Sequence, residues 1–221
     1  QAISLRKKLL GVKYLTGCYV TSAEGNGKLE AVNLTRNGKN WRVECDMLAC
    51  GFHLVPNIEL AQMLGCKIEY GCVAVDDFQQ TSIENIFCAG EPTGIGGVEL
   101  SLIEGKIAGL SAIGEFEKVK SLFAERLKSQ RFADELNKTF ALRDELKNLP
   151  DTETIVCRCE DVKLKDLKNC NGFREAKLQT RCGMGSCQGR ICGTATEYLF
   201  DWKNDSVRPP IFPVKLENLG E

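Results

Sequence analysis

The chain is poor in histidine, tryptophan and methionine. Its 221 residues include one histidine, two tryptophans and three methionines. Because imidazole is a common metal ligand and the usual proton shuttle near neutral pH, a single histidine excludes sites built on two or more imidazoles. Cysteine, in contrast, occurs 12 times. Any metal site in this chain is therefore expected to use sulfur ligands.

A surplus of positive charge is also missing, as are long apolar runs. Lys+Arg number 29 and Asp+Glu 30, for a net charge of -1. Without extra basic residues to neutralise phosphates, we expect no nucleic-acid partner. No apolar run approaches the about 20 residues of a transmembrane helix, and no signal peptide opens the sequence. We expect a cytoplasmic protein whose thiols are reduced and available to metals rather than joined in disulfides.

The first half of the chain reads as strands and turns. Residues 12–48 alternate apolar and polar side chains and carry two turn sequences, which predicts an antiparallel meander of about three strands. Three short apolar segments further on are predicted as buried strands: residues 47–51, 73–76 and 86–89. The last of these runs into a glycine-rich loop over residues 90–97.

Helical patterns dominate the middle of the chain. A short helix is predicted near residues 58–64 and a longer one over residues 98–113, where Gly105 and Gly109 suggest close approach to a sheet or a ligand. Residues 115–148 carry apolar side chains at helical spacing with a break at 128–131, which indicates two helices or a kinked one.

Six cysteines fall between residues 157 and 192 and give the strongest signal. Cys157 and Cys159 form one tight pair, and Cys187 and Cys192 form a second pair after 27 intervening residues. Four thiolates brought together by a small fold suit a [2Fe-2S] cluster or a tetrahedral zinc ion. The predicted metal ligands are Cys157, Cys159, Cys187 and Cys192. Cys182, five residues before Cys187, is a fifth candidate, with a buried thiol beside the site as the alternative interpretation.

The cysteine segments resemble a known family. Residues 180–193, with residues 157–160 upstream, are similar to the bacterioferritin-associated-ferredoxin-like [2Fe-2S] domain. In particular they resemble the version fused to the C-terminus of flavin-dependent oxidoreductase subunits, a family that includes subunits of hydrogen cyanide synthase, opine oxidase and D-amino-acid dehydrogenases. Residues 81–97 resemble the second FAD-contacting motif of these proteins, and residues 206–214 resemble their tail.

The resemblance implies a set of flavin contacts. The expected cofactor-binding residues are Gly90, Glu91, Thr93, Gly96, Gly97 and Val98. Glu91 occupies the position that accepts a hydrogen bond from a ribityl hydroxyl, and the glycines would let the backbone approach the ring. The helix beginning near Val98 would then direct its N-terminal N–H groups at the flavin. No residue is predicted to act as a catalytic base or nucleophile.

The chain departs from the family in one respect. The G-x-G-x-x-G turn that holds the ADP half of FAD in a βαβ unit is not found, and the sequence begins at Gln1. We therefore expect a C-terminal fragment of an α/β, two-dinucleotide-binding-domain flavoprotein, with FAD bound only when the N-terminal half is present and NAD(P) as a further possible ligand. The expected domains are residues 1–114 as a dinucleotide-domain remnant, 115–150 as a helical linker, 151–203 as a small helical [2Fe-2S] domain, and 204–221 as an extended, proline-containing tail.

The function implied is electron transfer between FAD and the cluster in an amino-acid or amine dehydrogenase complex. A catalytic flavoprotein subunit or another redox protein would be the partner, and the small-molecule substrate would be handled elsewhere. The alternative is a non-catalytic module with four cysteine ligands, stabilised by zinc or delivering iron, on an incomplete scaffold.

Overall fold

The protein is described by a computed structural model over residues 10–203, 207–209, 211, 214–215 and 217. The chain divides into two units, Gln1–Gly51 and Phe52–Glu221. Strands and helices both occur, as expected for a mixed α/β chain.

A three-stranded antiparallel meander makes up the first unit. The strands β1 (Tyr19–Glu24), β2 (Ala31–Arg36) and β3 (Lys39–Glu44) pair in sequence order. Asn37 and Gly38 join β2 to β3, and both have positive φ, 51° and 75°. Two consecutive positive φ angles are typical of the type I′ turn, whose twist matches that of a hairpin. The predicted meander is confirmed.

The second unit begins with three short elements. Helix α1 (Glu59–Met63) confirms the short helix predicted at this position. It is followed by an antiparallel hairpin of β4 (Ile68–Glu69) and β5 (Cys72–Val73).

The three buried strands predicted from apolar segments are largely wrong. Residues 47–51 are irregular and exposed. Residues 73–76 contribute only the end of β5 and an isolated bridge from Val75, and residues 86–89 contribute one isolated bridge from Phe87. A strand requires a neighbour along its length, and within the described residues these segments pair over two positions at most.

Two long helices pack against each other after the glycine-rich loop. They are α2 (Gly97–Ala112), predicted within one residue of its ends, and α3 (Phe116–Thr139). Ile103, Ile107 and Val119 form the buried core between them. Full burial of a side chain such as Ile107 stabilises the packed pair by about 1.5–3 kcal/mol.

Helix α3 is continuous through the predicted break. Residues 128–131 lie inside it, so of the two predicted alternatives, two helices or a kinked one, the first is wrong. The stretch contains neither glycine nor proline, the residues that usually interrupt a helix. The two apolar registers reflect the drift of a 3.6-residue period against a four-residue spacing, and Val119 and Ala133 are buried on one side of the same helix.

The last part of the second unit contains short elements around a cysteine-rich core. We call residues 151–203 the cysteine module. Its elements are β6 (Ile155–Cys157), β7 (Val162–Lys163), α4 (Leu164–Leu167), α5 (Phe173–Thr180) and α6 (Cys192–Phe200).

The cysteine module has its own apolar core. Leu167, Phe173 and Ala176 are buried in it together with several cysteines. The hydroxyl of Tyr198 donates a hydrogen bond to the carbonyl of Arg143, which connects the module to the segment that follows α3.

The predicted extended tail over residues 204–221 lies mostly outside the described residues. Among the residues described, no helix combines the length and the apolar character needed to cross a bilayer.

Candidate functional site

The predicted flavin loop is a tight turn between an isolated β-bridge and α2. Glu91–Thr93 forms a single 3-10 turn, with Gly90 before it at φ 80° and Gly94 after it at φ 146°. Gly97, at φ 82°, begins α2. Side chains other than glycine rarely adopt such angles, so the glycines are needed for the path of the loop.

The six predicted flavin contacts lie together in this loop. Gly90 is buried, and Thr93 is partly buried beneath the turn. Glu91, Gly97 and Val98 are exposed, Val98 to 72%. The loop therefore presents an accessible backbone at the N-terminus of a 16-residue helix. Free N–H groups at that end of a helix favour negative charge on a bound group.

A buried carboxylate under the loop was missed by the sequence analysis. Glu104 of α2 is 7% exposed, and its Oε2 accepts hydrogen bonds from the Gly90 N–H at 2.8 Å and from the Thr93 hydroxyl at 3.3 Å. The Thr93 hydroxyl also lies 2.8 Å from the Gly90 carbonyl. Burial raises the pKa of Glu104, against the opposing effect of these hydrogen bonds. The sequence feature that could have revealed Glu104 is its position on the face of α2 that also carries Leu100 and Ile107.

Three cysteines of the cysteine module converge in its core. Cys157 ends β6, Cys182 follows α5, and Cys192 begins α6. Their Sγ atoms all lie within 4.8 Å of one another, and all three side chains are buried. We call these three residues the buried trio. It contains two of the four predicted ligands, Cys157 and Cys192, together with the fifth candidate, Cys182.

The other two predicted ligands form a second group nearer the surface. Cys159 is exposed and Cys187 is partly buried. The backbone N–H of Cys187, and after it the hydroxyl of Ser186, lower the pKa of the Cys159 thiol. The Cys187 thiol hydrogen-bonds to the same sulfur. We call Cys159 and Cys187 the outer pair.

The loop between α5 and α6 fits closely around Cys159. A Cβ atom built on Gly185 would lie 2.2 Å from the Cβ of Cys159, so only glycine allows this approach. Arg181 ends α5 with φ 65°, and Gly183 follows with φ 82°. These two left-handed residues turn the chain so that Cys182 faces inward while Cys187 lies at the outer pair.

The electrostatics of the buried trio fit a bound cation. A hydrogen bond with the Cys182 thiol, followed by burial, raises the pKa of Cys192 far above its usual range. Three thiols packed away from water cannot all ionise on their own, whereas a metal ion deprotonates the sulfurs that bind it. The soft sulfur donors are typical of iron-sulfur clusters and of zinc sites. The buried trio therefore fits a thiolate-ligated metal group.

Two features of the sequence support Cys182 as the fifth candidate ligand. It lies five residues before Cys187, and Gly183 beside it permits a sharp turn. Cys170, the remaining cysteine of the module, is also buried but is not part of the trio. Its thiol faces the Asp166 carbonyl and the Gln179 side chain.

Comparison with known proteins finds similarity to oxidoreductases, including a family match in the first part of the chain. Residues 1–106 match the family described as Pyridine nucleotide-disulphide oxidoreductase. The HcnB subunit of hydrogen cyanide synthase from Pseudomonas aeruginosa is 32% identical over 214 residues, covering 84% of this chain and 46% of that protein. An opine oxidase subunit of Rhizobium meliloti is 26% identical over 236 residues, covering 94% of this chain and 45% of that protein.

The chain thus spans less than half the length of these two curated relatives. The structure of thioredoxin reductase from T. acidophilum aligns with 52% of this chain and 40% of that one, with a TM-score of 0.46 and 23% identity. The predicted similarity to hydrogen cyanide synthase and opine oxidase subunits is confirmed. The [2Fe-2S] domain stays a prediction.

Proposed function

We propose that the chain is part of an oxidoreductase subunit in which electrons pass between FAD and a [2Fe-2S] cluster held by the cysteine module. The observation that carries this proposal is the buried trio, three thiols from separate segments of the module whose Sγ atoms lie within 4.8 Å of one another. The other two proposed ligands, Cys159 and Cys187, hydrogen-bond to each other. Their donors are all sulfur, and the single histidine of the chain, His53, lies elsewhere and is exposed.

The ligands proposed from the spacing are Cys157, Cys159, Cys187 and Cys192. Because the Sγ of Cys182 lies within 4.8 Å of the Sγ atoms of both Cys157 and Cys192, five thiols are available for four positions. Cys182 is proposed as the alternative to Cys192, because the two thiols hydrogen-bond to each other. Gly185 allows the backbone to pass close to Cys159.

The residues proposed to face FAD are Gly90, Glu91, Thr93, Gly96, Gly97 and Val98. When bound, FAD supplies two-electron chemistry and a [2Fe-2S] cluster supplies one-electron transfer. Within the loop, the exposed carboxylate of Glu91 is available to a ribityl hydroxyl. The N–H groups at the start of α2 would favour negative charge on the ring. Glu104 holds the turn in place through the Gly90 N–H and the Thr93 hydroxyl.

The match to the pyridine nucleotide-disulphide oxidoreductase family supports the flavin half of the proposal and makes NAD(P) a further candidate ligand. Two relatives are named as subunits, which supports a catalytic flavoprotein subunit or another redox protein as partner. The name opine oxidase supports an amino-acid or amine as the substrate class. That small molecule is proposed to bind outside these residues, and the protein is proposed to be cytoplasmic.

A second candidate function has one observation in its favour. The buried trio resembles three corners of a closed tetrahedral site, which would suit a structural zinc ion or iron held for delivery. The chain would then be a metal-binding module without redox activity.

Anaerobic reconstitution with iron and sulfide tests both candidates. We expect two iron and two sulfide per chain, with a visible absorption band that disappears in Cys187→Ser. Cys170→Ser is the matched control, because Cys170 is a buried thiol of the same module outside the trio. A colourless protein that carries zinc after isolation and takes up no iron would contradict the [2Fe-2S] proposal.

The same assay identifies the fourth ligand. If Cys182→Ser keeps the spectrum and Cys192→Ser loses it, the set proposed from the spacing holds. If the two results are reversed, Cys182 replaces Cys192 in that set.

A further inference from the structure

Arg190 lies in the loop that separates two proposed ligands, and its guanidinium binds three segments at once. Its Nη2 donates to Oε2 of Glu59 at 2.6 Å and to the Ile211 carbonyl at 2.8 Å. Its Nη1 lies 3.4 Å from the Cys187 carbonyl. The side chain is 30% exposed, and that of Glu59 is 24% exposed.

These contacts join parts of the chain that are remote in sequence. Glu59 is the first residue of α1 and lies 131 residues before Arg190. The pair therefore connects the cysteine module to the part of the second unit that precedes the flavin loop. Because both side chains are mostly withdrawn from water, their attraction is screened less than in an exposed ion pair.

Arginine is suited to this position by its shape as well as its charge. A planar guanidinium presents several N–H donors in fixed directions, so one group can bind a carboxylate and two carbonyls together. A lysine ammonium keeps the charge on a single nitrogen and cannot reproduce that fork.

We propose that Arg190 is a positioning residue that holds the cysteine module against α1 through Glu59 and sets the reduction potential of the cluster held beside it. This inference rests on the proposed function, since it concerns the same cluster. The positive guanidinium stabilises the more negative, reduced form of the cluster, and the Glu59 carboxylate opposes it. The two side chains therefore act on the potential with opposite signs.

The test measures the reduction potential of the reconstituted full chain in two neutralising variants. Arg190→Gln is expected to shift the potential to more negative values, and Glu59→Gln to more positive values. Iron and sulfide content should stay at two per chain in both, because neither side chain is a ligand. Glu153→Gln serves as control and should leave the potential unchanged, because Glu153 forms only exposed ion pairs, with Lys163 and Lys165, in the same module.

Loss of packing alone would move the two potentials in the same direction or leave both unchanged, and either result overturns the proposal. Arg190→Lys separates charge from geometry. We expect its potential to remain near that of the wild type while hydrogen exchange in α1 becomes faster, because the ammonium cannot hold Glu59 and the Ile211 carbonyl together. Unchanged exchange in both Arg190→Lys and Arg190→Gln contradicts the docking role.

Failure of the role proposed for Arg190 can be distinguished from failure of the proposed [2Fe-2S] function. If the wild-type chain takes up no iron and sulfide, the proposed function fails, and the exchange measurement still reports on docking. If the wild-type chain holds the cluster and the variants shift neither potential nor exchange, only the role of Arg190 fails.

Discussion

Glu104 is a buried carboxyl whose charged form is unfavourable in the folded chain. Burial raises its pKa above the ordinary value of 4.5. The folded state therefore binds a proton more tightly than the unfolded state does. The resulting contribution to stability is complete below pH 4.5, declines as the pH rises towards the raised pKa, and is lost above it.

Glu104→Gln is predicted to abolish the loss of stability that the wild type shows as the pH rises and Glu104 ionises. Glutamine is neutral throughout, and its side-chain oxygen can still accept the hydrogen bond from the Gly90 N–H. Relative to the wild type, the free energy of unfolding of the variant should increase as the pH rises from 4.5 towards neutrality. Urea unfolding at several pH values measures it. Glu99→Gln, an exposed carboxyl on the same helix, is the control. Parallel pH profiles for wild type and Glu104→Gln would refute the prediction.

The non-polar substitution Glu104→Leu tests the hydrogen bond itself. It leaves the buried Gly90 N–H without its acceptor, which costs about 1–3 kcal/mol of unfolding free energy. Urea unfolding at neutral pH should show this loss. Stability equal to that of Glu104→Gln would mean that the turn is held by other contacts.

At the scale of structural elements, the loop around Cys159 is packed so closely that a single added methyl group should disturb it. Gly185→Ala places a Cβ 2.2 Å from the Cβ of Cys159 and 3.4 Å from its Cα. Those atoms lie close to the backbone and cannot rotate away, so the loop must shift and Cys159 must move with it. We predict a strong loss of bound iron, measured as iron per chain and visible absorbance after reconstitution.

The matched control is a glycine with open space around it. Gly109 lies in α2, and a Cβ built there meets nothing within 4 Å. Gly109→Ala should raise the free energy of unfolding by about 0.5–1 kcal/mol through helix propensity, without changing the iron content. Equal iron content in both variants would show that close packing at Gly185 does not position Cys159.

Local patterns predicted some elements well and others poorly, for a common reason. The meander was found because each hairpin is closed by its own turn residues, such as Asn37 and Gly38. The buried strand expected at residues 47–51 did not form, because pairing depends on a distant neighbour that an apolar run cannot reveal. Helix α3 runs through its predicted break because apolar spacing alone marks no end without a glycine or proline.

The cysteine site likewise depends partly on contacts that local sequence patterns do not reveal. The spacing of Cys157 and Cys159 indicated metal chemistry, and the structure brings all four predicted ligands into two groups. The membership of Cys182 in the buried trio could not be inferred with the same force, because it depends on how the turn at Arg181 directs the side chain. Glu104 was missed because the hydrogen bonds that satisfy its charge come from a backbone 14 residues away.

At the scale of the whole chain, residues 1–106 match the pyridine nucleotide-disulphide oxidoreductase family, yet the sequence does not contain the G-x-G-x-x-G turn. Pyrophosphate is usually held by backbone N–H groups at a glycine-rich turn that leads from a strand into a helix. In this chain Gly25 and Gly27 lie between two antiparallel strands, and Gly94 and Gly96 lack the third glycine of the motif. The loop proposed to contact the flavin therefore lacks the glycine-rich turn that would hold the ADP end of FAD.

The lack of a glycine-rich turn for the ADP end of FAD predicts how the 221-residue chain binds flavins by itself. We expect FAD to bind weakly or not at all, and FMN to bind with the same affinity, because the additional AMP moiety of FAD finds no glycine-rich turn to hold its phosphates. Flavin fluorescence titration gives both affinities, and gel filtration after mixing shows whether either flavin remains bound. FAD that binds more tightly than FMN, or that elutes with the chain at one per molecule, would contradict the prediction. It would place a nucleotide site among residues where the sequence shows none.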